Sequence, residues 1–291
     1  MLDLPLRTAR LVLGGDDAIA GRIAVEHGGA TIGHIGVHIV GHGAMLDGAL
    51  DPAQRGRGLA AEALGAVVDA LFASTPLERL AVSVAPDDVD AMRLVEHQGF
   101  RFEGTARGAA LVHGAPADRL QFALVRAERV DWLTRPSSCA QVELVRITDG
   151  NLRAVAALAT HKHQERFVAP VARSLAQFSF PPDHNGYPVV PWVRAVQADG
   201  EIVGFLMLST VSPGEPEPYV WRFLVDRRHQ RRGVGTMTFA ALADAMRTEG
   251  HHAIVLGFVD GPGGPRRFYE RLGFVTTGKV EDGEHEARLV L

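Results

Sequence analysis

Two short stretches of the chain gather residues suited to holding an anion. Arg55-Gly56-Arg57-Gly58-Leu59-Ala60 and Gln230-Arg231-Arg232-Gly233-Val234-Gly235 each set arginines among small residues. Arginine offers a planar fork of donors that matches phosphate, and glycine lets a ligand approach the backbone closely. The residues before the second stretch, "YVWRFLVD", are β-branched and aromatic and predict a buried strand. After it, Val234, Met237, Leu242 and Met246 recur at a roughly helical spacing, as do Leu64, Val67 or Val68, and Leu71 after the first. A strand, a turn rich in N–H groups and a helix N-terminus together make a phosphate site.

The elements that must position these turns occur twice. "LVEHQGF" ends at Gly99-Phe100 and "FYERLGF" ends at Gly273-Phe274, so Gly58 to Gly99 is 41 positions and Gly233 to Gly273 is 40. Upstream, "AVEHGGATIGHIGV" matches "AVQADGEIVGFLML", each a hairpin with a Gly or Asp-Gly turn. Three features in one order at nearly constant offset are an internal duplication. A length of 291 residues suits two domains, and 46% hydrophobic residues can fill two cores. The expected boundaries are 1–130, a linker over 131–140 broken by Arg135-Pro136-Ser137-Ser138, and 141–291. Strands alternate with helices in each half, which predicts the α/β class with a mixed sheet.

The formal charge of −4 comes without a polybasic block, which argues against nucleic acid or an acidic membrane surface as partner. Cys139 is the lone cysteine and excludes an internal disulfide framework. The first residues lack the apolar core of a leader peptide, and no apolar run reaches the length of a bilayer span. A soluble, cytoplasmic protein is expected.

The pattern Gln/Arg-x-x-Gly-x-Gly/Ala between strand and helix resembles the acyl-CoA-binding motif of the GNAT superfamily of N-acetyltransferases. It stands here as Arg55-x-x-Gly58-x-Ala60 and as Gln230-x-x-Gly233-x-Gly235. The resemblance implies two tandem GNAT-like domains with acetyl-CoA as co-substrate. The pyrophosphate would lie on the N–H groups of Arg55 to Ala60, or of Gln230 to Gly235 and Thr236, with Arg57, Arg231 and Arg232 adding charge. It also implies a splayed strand pair, Met45 to Leu50 with Leu80 to Val84 and Val220 to Val225 with Ala253 to Phe258, where the pantetheine arm meets backbone such as that of Leu224 and Val225. The second half further resembles the bacterial diamine (spermidine/spermine-type) branch in "QERFVAP", "WRFLVD" and "FYERLGFVTTGKVEDGE". It departs at Val171, where a polar residue is expected, and over Phe178 to Pro191. The first half resembles in part the ribosomal-protein-type branch in "LRTARLVL" and "AMRLVEHQGFRFEGTARG".

Acetyl transfer from a thioester needs a neutral amine, a polarised carbonyl and a proton for the leaving thiolate. The resemblance implies that a tyrosine four residues before the Gly-Phe gives that proton, and Tyr269 stands there. Val95 takes the place in the first half, while Tyr187, Tyr219 and Tyr269 all follow the junction. Tyr269 is expected as general acid, against an aromatic that only packs on a helix opened by Pro265 and closed by Gly273. Glu217 is the candidate base, with Glu215, Asp226, His161, His163 and Glu165 as alternatives and Asp47 in the first half. The family also walls its acceptor site with one or two helices after the first strand, and residues 149–186 have room for them. Between "ARLVL" and "RIAVE" stand only Gly14 to Gly21, too few for a helix pair at about 1.5 Å per residue. The first domain is therefore expected to lack those helices and to stabilise or regulate.

His34, His38 and His42 recur every fourth residue among β-branched residues and glycines, which predicts a strand face rather than a metal cage. His251-His252 suit a helix end. The expected chemistry is acetylation of a primary amine on a small molecule in the second domain, without metal. The alternatives are a non-catalytic acyl-CoA sensor, or an acetyltransferase of an antibiotic or biosynthetic intermediate; a homodimer is left open.

Overall fold

The computed structural model describes residues 2, 4–14, 21–180, 183–184, 187–210, 212–213 and 216–291, and divides into two units, Met1–Arg135 and Pro136–Leu291. Each is described by itself.

In the first unit, β1 (Leu6–Arg7), β2 (Val12–Leu13), β3 (Arg22–His27), β4 (Ala30–Val40), β5 (Gly43–Leu50), β6 (Arg79–Val84), β7 (Arg101–Val112) and β8 (Ala115–Val125) form one sheet in the order β1-β2-β3-β4-β5-β6-β8-β7. All neighbours are antiparallel except β5 and β6, which run parallel from Gly43–Arg79 to Leu46–Val82. The crossover between them is α1 (Leu59–Ser74), which buries Leu59, Ala63, Leu64, Val67, Val68, Leu71 and Phe72 on one face. Also in this unit, α2 (Val89–His97) is capped by the Asp88 side chain, which accepts from Ala91 N at 2.9 Å. The turn at Gly28-Gly29 has both φ positive, at 61° and 80°, a conformation that suits a two-residue hairpin.

Helix α3 (Arg126–Thr134) runs through part of the expected 131–140 linker, and the division falls after it. Arg129 explains this: it is 6% exposed and reaches Asp69 Oδ1 and Gln98 O, tying the helix to its own unit. Within "ARLVL" only Val12 and Leu13 are strand. Residues 15–20 of the expected short connection lie outside the described residues.

In the second unit, β9 (Val142–Val145) is followed by α4 (Asp149–Ala156), a 3-10 turn (Lys162–Gln164) and α5 (Val171–Ser179). Next come β10 (Asp183–His184) and β11 (Tyr187–Pro188), a small hairpin of its own. Then β12 (Pro191–Ala198), β13 (Glu201–Ser209), β14 (Tyr219–Val225), α6 (Val234–Thr248), β15 (Ala253–Val259), α7 (Arg266–Arg271), β16 (Val275–Glu281) and β17 (Glu284–Val290) complete it. The main sheet has the order β16-β17-β15-β14-β13-β12-β9, and β14 with β15 is its parallel pair. One face packs on α6 and α7 through Phe239, Leu242, Met246, Ile254, Leu256 and Phe258. The other packs on α4 and α5 through Val155, Leu158, Val171, Phe205, Met207 and Leu224. Val171 is 1% exposed in that second core. Burying such a side chain contributes about 1.5–3 kcal/mol, which accounts for valine where a polar residue was expected.

Candidate active site

The two arginine–glycine turns share one backbone. Gly56 and Gly58 are left-handed at φ 72° and 77°, and Arg231 and Gly233 repeat this at 64° and 82°. A left-handed residue costs an L side chain roughly 1–2 kcal/mol, so Arg231 holds by constraint the shape Gly56 takes freely. Gly58 and Gly233 each stand at the N-cap, where a helix has donors to spare. Among the described residues, the N–H groups of residues 56–61 and 231–236 have no partner in the chain. This is the concave row of donors that an anion needs. A Cβ at Gly233 would meet nothing within 4 Å, so that glycine serves conformation and not clearance within the protein. At Gly235 a Cβ would lie 2.9 Å from Phe268 Cζ, so that glycine serves packing.

Among the flanking side chains, Arg55, Arg57, Arg231 and Thr236 are exposed around their turns, while Leu59 and Val234 are core. Arg232 departs from expectation. Its side chain turns inward at 8% exposure, with Nη1 2.8 Å from His229 Nδ1 and Nη2 3.5 Å from Asp199 Oδ2. Arg232 therefore props the turn instead of facing a phosphate. In the first unit a residue not anticipated, Arg10, donates from Nη1 to Arg57 O at 2.9 Å and from Nε to Glu62 at 2.6 Å. Thr8 and Arg10 outweigh burial and hold the Glu62 carboxyl below its usual range, Thr8 acting most strongly.

The parallel pairs then distinguish the units. In the second, pairing stops after Tyr219–Val255 and Val220–Leu256, and one edge of residues 221–225 is left open. A bulge causes this: Met207 faces Arg222 and Leu208 faces Val220, so Trp221 is an extra residue on β14. In the first unit β4 and β5 pair without any shift from Gly33–Leu50 to Val40–Gly43, and β5–β6 stay paired over four residues. Leu224 is itself buried, so only its backbone fronts the opening, as does that of Val225, whose carbonyl accepts from Gln230 Nε2 at 3.0 Å. Gln230 also exchanges amide hydrogen bonds with Gln164 at 2.8 and 3.1 Å, fastening the turn to the segment before α5.

Tyr269 and Val95 occupy the same slot. Phe274 N donates to Tyr269 O and Phe100 N donates to Val95 O, each at 3.1 Å, so the two Gly-Phe ends superpose in bonding. The Tyr269 ring lies among Phe239, Phe258, Phe268 and Phe274. Burial pushes its phenol well above the usual value, and the charge of Glu284 pushes it further. Among the described residues no hydrogen bond holds its hydroxyl. It is a protonated donor with no partner among the described residues.

The other candidates fare differently. Glu217 is clasped by Arg288, whose Nε and Nη2 reach its carboxylate at 2.8 and 2.6 Å and lower its pKa. A carboxylate so satisfied is a poor proton acceptor. Asp226 accepts from Ala159 N, Arg228 N and Arg228 Nε, and is structural. Asp47 pairs with His38 Nε2 at 2.6 Å on an exposed strand face. His34, on β4 like His38, meets Arg22 Nη2 of β3 at 2.7 Å. His161 and His163 stack at 5.7 Å, and Glu165 pairs with Lys162. Glu215 lies outside the described residues, as do residues 181–182 and 185–186 of the unusual Phe178–Pro191 segment.

Residues 141–274 match the model of the acetyltransferase (GNAT) family, and residues 13–101 match that of the acetyltransferase (GNAT) domain. The probable N-acetyltransferase YjcK of Bacillus subtilis (strain 168) is 34% identical over 79 residues, 27% of this chain and 44% of that protein. The match thus spans less than half the length of that curated relative. Among solved structures, RimJ of Mycobacterium smegmatis in complex with CoA-disulfide is 24% identical, covering 41% of this chain and 55% of that one at a TM-score of 0.35. A chimera of the spermidine N-acetyltransferase SpeG of Vibrio cholerae with hSSAT is 21% identical, covering 38% and 69% at 0.36.

Proposed function

Because the chain belongs to the GNAT acetyltransferase family, with one such domain in each half, we propose that residues 136–291 are an acetyl-CoA-dependent N-acetyltransferase acting on a primary amine of a small molecule. The first unit then binds acyl-CoA or stabilises the chain without catalysing transfer. The observation that carries this is an asymmetry: both units own the donor turn, but Tyr269 and the bulged, early-opening strand pair occur in the second alone. When bound, acetyl-CoA supplies an acetyl group activated as a thioester. The residues fit such a ligand through the unpartnered N–H groups of 231–236 and the open edge of 221–225. Arg231 adds a cation beside the turn, and the Tyr269 phenol keeps its proton at neutral pH for a leaving sulfur. Glu217 remains a weak candidate for the base in this reading, since Arg288 occupies it.

Two substitutions test the reading. Gly233→Val should lower acetyl-CoA affinity clearly in calorimetry, because a β-branched residue cannot rest at this φ. An unchanged affinity would move the main site to the first unit, where Gly58→Val is the corresponding change. Tyr269→Phe should cut kcat on the order of 100-fold to 10,000-fold with acetyl-CoA affinity and melting temperature nearly unchanged. A near-normal kcat would end the acid role.

A further inference from the structure

Gly257 follows the last residue of the parallel pairing on β15, at the point where β14 and β15 part. Its neighbours Leu256 and Phe258 face the α6 core, so alternation along a strand turns Gly257 to the opposite face. There a Cβ on Gly257 would collide with Tyr219 Oη and lie 2.6 Å from Glu284 Oε2. Two oxygens from different strands therefore converge on a bare Cα at the mouth of the opening. Three neighbouring acids among the described residues are taken. Glu217 is clasped by Arg288, Glu286 accepts from Thr277 Oγ1 at 2.8 Å, and Glu281 pairs with Lys279 at 2.8 Å. Half-buried Glu284 has no hydrogen bond or ion pair among the described residues.

We propose that Glu284 and Tyr219 receive the amine of the acceptor over Gly257, with Glu284 pairing with the ammonium and taking its proton. The proposal rests on the N-acetyltransferase reading above and gives it a base that no arginine occupies, unlike Glu217. In the step, one N–H bond breaks, an O–H bond forms on Glu284, and the nitrogen keeps the electron pair as a neutral amine. The proton then passes to water. Neutralising Glu284 also removes the charge that, after burial, holds the Tyr269 phenol up. The acid thus becomes a better donor as the amine becomes a nucleophile. The same carboxylate disfavours acceptors with an anionic group beside the amine, since like charges meeting there are repelled. The acceptor class is accordingly a cationic alkylamine.

The test is calorimetry on the full chain with CoA present, using butylamine as probe and glycine as the amine that carries an adjacent carboxylate. Butylamine should bind and glycine should not. Glu284→Gln should weaken butylamine at least about tenfold, and in turnover should lower kcat/KM on the order of 100-fold, with CoA affinity and melting temperature unchanged. Gly257→Ala, which fills the gap, should abolish butylamine binding while CoA still binds. Equal butylamine affinity and turnover within about threefold in Glu284→Gln would overturn the assignment, as would no binding to the unmodified protein. Binding that depends on Glu284 without any acetyl transfer would support the amine site and count against the N-acetyltransferase reading.

Discussion

Asp226, the residue after β14, is 1% exposed and still ionised. Burial alone would raise its pKa. The N–H groups of Ala159 and Arg228 and the Arg228 side chain outweigh that and hold the carboxyl below its ordinary range. A lowered folded pKa adds stability that is full above the ordinary aspartate range and disappears as pH falls through the folded value. Asp226→Asn should therefore cost about 2 kcal/mol at neutral pH, and the gap from the unmodified protein should close as pH falls below about 4. Denaturant midpoints across that range check it, and a gap that stays constant to low pH would refute it. Residues like this were poorly legible in the chain, because their roles depend on distant partners. Glu217 reads as a free loop acid until Arg288, 71 positions later, is seen to hold it. Arg232 reads as a phosphate ligand until His229 and Asp199 are seen to turn it inward. What could be read was local: the glycines of both turns, whose left-handed φ is a property of the single residue.

At the scale of elements, the joint between the turn and the segment before α5 is the Gln164–Gln230 amide pair. Gln230 also ties back to the end of β14, so one side chain links strand, turn and the segment before α5. A double-mutant cycle with Gln164→Ala and Gln230→Ala should give a coupling of about 1 kcal/mol in stability, and additive effects would show that the two amides act independently. Helices and hairpins were readable because their signals are periodic and short in range. The Asp199-Gly200 turn, with φ of 50° and 88°, is the shape its dipeptide favours. The faces were less readable. Met237 fits the helical spacing after Gly233, yet the buried face of α6 runs through Thr238 and Phe239.

At the scale of the whole molecule, each unit has its own sheet and its own core. Residues 136–291 made alone should unfold cooperatively and bind acetyl-CoA with the affinity of the full chain's second site. An aggregated fragment, or one without a sharp melting transition, would contradict that. The duplication was plain in the chain from its repeated offsets, but the reason the copies differ was not, because a bulge leaves no composition of its own. That bulge bears on how the halves could ever be exchanged. Trp221 is an added position, and past it every side chain of β14 changes face. No series of point substitutions in β5 can reproduce such a phase change, since substitution alters what a position carries and never how many positions there are. Giving the first half the strand geometry of the second would take an insertion, made at one place and tolerated at once.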